Sequence, residues 1–257
     1  MERNIQIKSE DFDSSKSHQL LLDLNQDIYN YALIDENNNL KIIGSSTSDI
    51  ENAEFLEYQL SNIKICYFSR SFSIVPSNFE PDIQSFKKLM EIHPESETFA
   101  SGSLNSEVIT VYALNMERQQ TLRDLFSDFE IFPQINPFLK GASSNGTYIS
   151  IRSSYAEVLI VKNSSLNFYN VFEFKNDNEL QYFVSLVLQQ KAIDGKKETI
   201  YISGDISEDS LTFQRLKTLF PYLSLIRPET SIRIGEEFKN ADLQRYFALL
   251  NLASCGS

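Results

Sequence analysis

Glycine is scarce in this chain, with eight among 257 residues, less than half the usual share of about 7%. Gly44, Gly102, Gly141, Gly146, Gly195, Gly204, Gly235 and Gly256 are spread apart. This excludes the G-x-G-x-x-G turn and the G-x-x-x-x-G-K-S/T loop, which need close glycines so that backbone can wrap a phosphate without a Cβ in the way. Tryptophan is missing, and there are only two cysteines, Cys66 and Cys255, and two histidines, His18 and His93. So few potential ligands support neither a disulfide framework nor a zinc site. Cys66 lies in the apolar stretch 63–68 and reads as a core thiol. A serine or cysteine hydrolase needs a base within reach of its nucleophile. His18 opens a strand, His93 precedes Pro94, and G-x-S-x-G is absent. No uncharged apolar run approaches the ~20 residues of a membrane helix. The polar opening MERNIQIKSEDFDSSK has no apolar signal core, so a cytoplasmic protein without membrane insertion is expected.

Acid outweighs base, with 35 acidic and 23 basic residues and a net charge of -12. The excess is concentrated in the first part, since residues 1–145 carry a net of -11 and residues 146–257 a net of -1. Such a surface repels phosphate backbones, which disfavours nucleic acid as a partner. The 42% hydrophobic share suits a chain with a large core.

Period-2 patterning predicts strands over 20–24, 28–34 and 40–43, separated by short polar breaks. A helix is expected after Ser48 or Asp49, with Ala53, Leu56 and Leu60 at helical spacing. Strands over 64–68 and 72–75 follow, then a helix opened by Pro81, strands over 98–102 and 108–114, and a helix over 117–129. Residues 141–146 read as a loop. The pattern then restarts, with strands over 148–151, 156–161 and 166–174, a helix capped by Asp177, a strand over 199–202 and a helix from Asp209. Asp23 to Ser150 and Ile34 to Val161 are both separated by 127 positions, and Asp49 to Asp177 by 128. The chain therefore reads as an internal repeat. It divides into a polar extension (1–17), a first unit (18–144) and a second unit (145–257) that ends in a helix. The alternating aromatics of 168–174 suit a sheet packed on helices or an edge that recruits another chain. The apolar segment 243–252 suits docking on the body or on a partner.

Three antiparallel strands followed by alternating helices and strands resemble a ribonuclease-H-like unit, and two in tandem resemble the actin-like ATPase superfamily. LLLDLNQDIYNYALID, CYFSRSFSIVPSNF, TYISIRSSYAEVLIV and IYISGD more closely resemble a bacterial domain-of-unknown-function family near that superfamily. The resemblance implies an α/β fold with mixed sheets and a nucleotide cleft between two units. In active members each first hairpin holds an Asp-x-Gly turn for phosphates and metal, and a late Gly-Gly pair faces the adenosine. The matching positions are Asp23-Leu24-Asn25 followed by Gln26, then Ser150-Ile151-Arg152, and finally Ser203-Gly204-Asp205. Both turn glycines and the second carboxylate are missing, and magnesium in a phosphate cleft is held through one or two carboxylates. The implied state is a pseudoenzyme whose Asp23, Asn25, Gln26, Ser150, Arg152, Ser203, Gly204 and Asp205 form a vestigial cleft.

Asp23 alternatively caps its own turn with Asn25 and Asp27. A two-metal nuclease set would pair Asp23 with Glu54 or Glu57, against the acidic charge of this half. The expectation is a non-catalytic interaction or scaffold protein with no cofactor, acting with a protein partner or as a homodimer. The alternative is a nucleotide binder or weak ATPase using ATP and magnesium.

Overall fold

The computed structural model describes residues 5–25, 28–78, 97–104 and 107–256. In chain order the strands are β1 (Ile5–Lys8), β2 (Ser17–Leu24), β3 (Tyr29–Ile34), β4 (Leu40–Ser46), β5 (Gln59–Tyr67), β6 (Phe72–Pro76), β7 (Glu97–Ser103) and β8 (Val108–Asn115). Helix α1 (Met116–Leu125), β9 (Glu130–Pro133) and α2 (Ile135–Gly141) lead to β10 (Gly146–Arg152), β11 (Tyr155–Lys162), β12 (Ser165–Glu173) and α3 (Asp177–Gln190). The chain continues through β13 (Ile200–Gly204), α4 (Leu211–Leu219), β14 (Leu223–Leu225) and α5 (Phe247–Asn251).

Of the three sheets among the described residues, two share one topology. The first has the order β1-β4-β3-β2-β5-β9 and the second β12-β11-β10-β13-β14. Leaving out β1, each is three antiparallel strands with two further strands added in parallel beside the first of them. The third sheet, β6-β8-β7, is inserted between β5 and β9 of the first unit.

Register makes the repeat concrete. Asp23 pairs with Asn30 and Cys66, while Ser150 pairs with Glu157 and Ser203. Asn25 N–H donates to the Ile28 carbonyl, and Arg152 pairs with Tyr155 across a two-residue turn. Phe68 N–H donates to Leu24 O as Asp205 N–H donates to Ile151 O. Asp23 thus corresponds to Ser150 and Asn25 to Arg152, both at the offset of 127.

Strand alternation sends neighbouring residues to opposite faces. In β2, Leu20, Leu22 and Leu24 pack with Tyr112, Leu114, Leu122 and Phe126 from β8, α1 and the residue after α1. Leu21 packs on the other face with Cys66, Phe238, Leu249 and Leu250, and Asp23 shares that parity. In β10, Ile149 and Ile151 pack under α3 and α4. Tyr148 packs with Phe138 and Phe247, so Ser150 and Arg152 share its face. The polar residues of the two central strands therefore look toward each other.

The chain returns to the first sheet after the second unit. Helix α5 packs on α2, where a Cβ added at Gly141 would lie 2.3 Å from Asn251 and 2.5 Å from Phe247. Buried Lys64 donates through Nζ to the carbonyls of Ala253 and Cys255.

Several local expectations need correction. The helix expected after Asp49 is two 3-10 turns, Ile50–Asn52 and Glu54–Glu57, separated by extended Ala53 (ψ 131°), and Leu60 already lies in β5. Asn176 rather than Asp177 caps α3, its side chain accepting from the N–H groups of Asn178 and Glu179. The helix expected from Asp209 begins at Leu211, with Ser210 as its cap. The expected loop over 141–146 begins only after α2. The helix opened by Pro81, together with His93, Gln26 and Asp27, lies outside the described residues.

Candidate functional site

The ends of β2 and β10 bring Asp23 and Arg152 together in the seam between the units. Arg152 Nη1 donates to both carboxylate oxygens of Asp23, each at 2.8 Å. Its Nε donates to Glu157 of β11, and Tyr169 Oη of β12 donates to the other Glu157 oxygen at 2.7 Å. Asp23 is 2% exposed, Arg152 6% and Glu157 0%. The guanidinium carbon sits 5.7 Å from the centroid of the Phe68 ring.

Electrostatics hold this cluster together. Burial alone lowers the pKa of a guanidinium, but the Asp23 and Glu157 carboxylates raise that of Arg152 well above its usual value. Burial pushes the Glu157 carboxyl up from its ordinary 4.5, while Arg152 and Tyr169 act in the opposite direction. Cys66, across from Asp23 on β5, is also pushed up, by burial and then by the negative charge of Asp23.

The other predicted positions are structural as well as adjacent. Ser150 and Ser203 are buried, with Ser203 Oγ donating to Ile149 O at 3.3 Å. Gly204 has φ +90°, and an added Cβ would lie 2.0 Å from the Ile151 carbonyl oxygen. The glycine therefore permits the close β10–β13 contact. Asp205 forms an ion pair at 3.1 Å with Arg245. Asn25 N–H donates to Ile28 O, and its carbonyl accepts from Arg118 Nη1 at 2.8 Å.

The space among these groups is small. Asp23, Asn25, Asn30, Ser150, Arg152 and Gly204 border a cavity of about 20 Å3, room for about one water molecule. A larger hollow of about 680 Å3 lies beyond Asn25, against Tyr29, Tyr67 and α1. Asp23, Ser150, Arg152, Ser203, Gly204 and Asp205 do not line it. With both Asp23 oxygens committed to a guanidinium, the residues present do not fit a magnesium-bound nucleotide at the phosphate turns. Glu54 is turned to Tyr58 Oη at 2.5 Å and Gln6 Nε2 at 3.3 Å. Among the described residues no group of three or more His, Cys, Asp or Glu is arranged to hold a metal.

Sequence reasoning missed Glu157, Tyr169 and Phe68. The signal for Glu157 was a lone carboxylate inside the apolar run AEVLIV, because a charge in the middle of a buried strand requires a partner.

Comparison with known proteins places this architecture. A family described as a protein of unknown function, DUF3822, matches residues 8–223. The chain belongs to that family. DUF3822 here has the actin-like ATPase fold: a Bacteroides thetaiotaomicron protein with that fold and unknown function superposes with a TM-score of 0.72 at 18% identity, covering 93% of this chain and 98% of its own. The PilM-PilN type IV pilus biogenesis complex includes a chain with a TM-score of 0.61 at 11% identity, covering 92% of this chain and 97% of that one. The ethanolamine utilization protein EutJ from Carboxydothermus hydrogenoformans gives 0.51 at 6% identity, covering 92% and 89%. No curated protein matches the chain by sequence. Among the described residues no helix is long and apolar enough to cross a membrane.

Proposed function

We infer that this DUF3822 protein is a non-catalytic interaction or scaffold protein of the cytoplasm, built on an actin-like ATPase fold without a cofactor. The observation that carries this reading is the position of Arg152. Its side chain starts where a turn glycine would leave room for phosphate, and it ends on the one carboxylate that the two turns retain. Phosphoryl transfer relies on positioning the phosphates and neutralising their charge through a metal. Here the anchoring carboxylate is already neutralised by the protein. A chain that aligns with this one, in the PilM-PilN complex, is part of a protein assembly, which supports interaction as a use for the fold.

The test is thermal unfolding with millimolar ATP and magnesium, because a ligand that binds the native state raises Tm. The expected result is an unchanged Tm, with a specific protein chain or a second copy recovered on purification. A clear rise that Asp23→Ala abolishes would instead establish a nucleotide binder.

A further inference from the structure

The seam between the two units carries a charge arrangement with a mechanical consequence. Asp23 comes from the first unit and Glu157 from the second, and the Arg152 guanidinium bonds to both. Without that cation, two buried carboxylates would share one seam, and burial makes such repulsion costly. Aromatic and polar contacts continue the closure. The Phe68 and Tyr155 rings are 5.3 Å apart, and Arg70 Nη1 donates to Tyr155 Oη at 3.2 Å. On the side formed by the returning chain, Arg245 meets Asp205 of the second unit while Ser45 Oγ of the first donates to Tyr246 Oη at 3.2 Å.

The geometry points to Arg152 as a resident latch that holds the two units in one closed arrangement with no added ligand. A soluble cation placed between Asp23 and Glu157 would exert the same attraction but would exchange with solvent. A guanidinium attached to β10 stays in place, and its planar group keeps separate donors for the two carboxylates. The outer surface that spans both units is therefore constant. This last point rests on the interaction reading above, since a constant surface matters only to a partner.

The latch is tested by spin-label distance measurements between Glu51→Cys and Glu208→Cys, exposed positions on opposite units, with Cys66 and Cys255 buried. The otherwise native chain should give a single narrow distance that magnesium and ATP leave unshifted. Arg152→Ala should lose the narrow peak. Arg152→Lys, which retains charge but not the planar fork, should broaden it to a lesser degree. A broad or ATP-shifted distribution in the native chain would overturn the latch. So would an Arg152→Lys distribution as narrow as the native one, a comparison that holds even if the alanine variant fails to fold. Nucleotide-dependent stabilisation with an unshifted narrow distance would sink the preceding proposal and leave the latch standing.

Discussion

Arg152 and Asp23 lie 129 positions apart in the chain, yet one guanidinium nitrogen of Arg152 is 2.8 Å from both carboxylate oxygens of Asp23. Arg152 occupies the position in the second hairpin that Asn25 occupies in the first. One copy of the repeated turn thus supplies the long cation and the other the acid two residues earlier.

Arg152→Ala should destabilise the fold by about 3–5 kcal/mol, the usual cost of leaving a buried charge without its partner. Urea unfolding at neutral pH measures this. Combining it with Asp23→Asn should cost less than the two single changes added together, because neighbours in one network are coupled. Strict additivity would mean that the pair contributes nothing to the native state.

Gly204→Ala should cost about 1–3 kcal/mol from its backbone conformation, plus the displacement of Ile151 O. Gly235→Ala is the control. Its φ is -68°, and the three atoms nearest an added Cβ belong to the movable carboxylate end of Glu237, so its effect should stay within about 0.5 kcal/mol. Comparing the urea midpoints of the two variants decides the point.

Asp35 should contribute acid-sensitive stability. Burial works to raise its pKa, but hydrogen bonds from the Asn39 side chain and from the Asn39 and Asn37 N–H groups bring it below 3.8. A folded-state pKa below the unfolded value gives stability that is present above 3.8 and lost as pH falls through the folded value. The native chain should therefore lose stability over that acid range, and its advantage over Asp35→Asn should shrink with it. A constant gap between the two would contradict this assignment.

Both thiols should be inert in the folded protein. Burial pushes Cys255 up to about 11 and holds Cys66 well above the usual thiol value, and the thiolate is the reactive form. A colorimetric thiol reagent should react at a rate set by unfolding in native buffer and immediately in urea. Fast native labelling of either cysteine would refute this.

The strands are legible because their apolar residues alternate or run continuously, and the 127-residue spacing of Asp23 and Ser150 marks the paired hairpins. The short strands were not. In β9, Glu130–Pro133, and β14, Leu223–Leu225, pairing is decided by the neighbouring strand rather than by local pattern. Ala53, Leu56 and Leu60 imitate helical spacing, but extended Ala53 breaks the segment into 3-10 turns. The aspartate at position 23 and the missing glycines could be read from sequence. That Arg152 would reach Asp23, with Glu157 and Tyr169 behind it, depends on how two sheets face one another, which one-dimensional spacing does not encode.

The bonds from Lys64 to the carbonyls of Ala253 and Cys255 have a kinetic consequence. They join residues 189 and 191 positions apart, and the same late segment covers Leu21, Ala32, Ile43 and Cys66 of the first sheet. The two repeats therefore do not mature as independent folding units. The first sheet keeps one apolar face uncovered until the chain has passed through the second and come back. Loop closure of that length precedes the contacts that reward it, so the final docking of this segment is expected to be a slow step in forming the native protein.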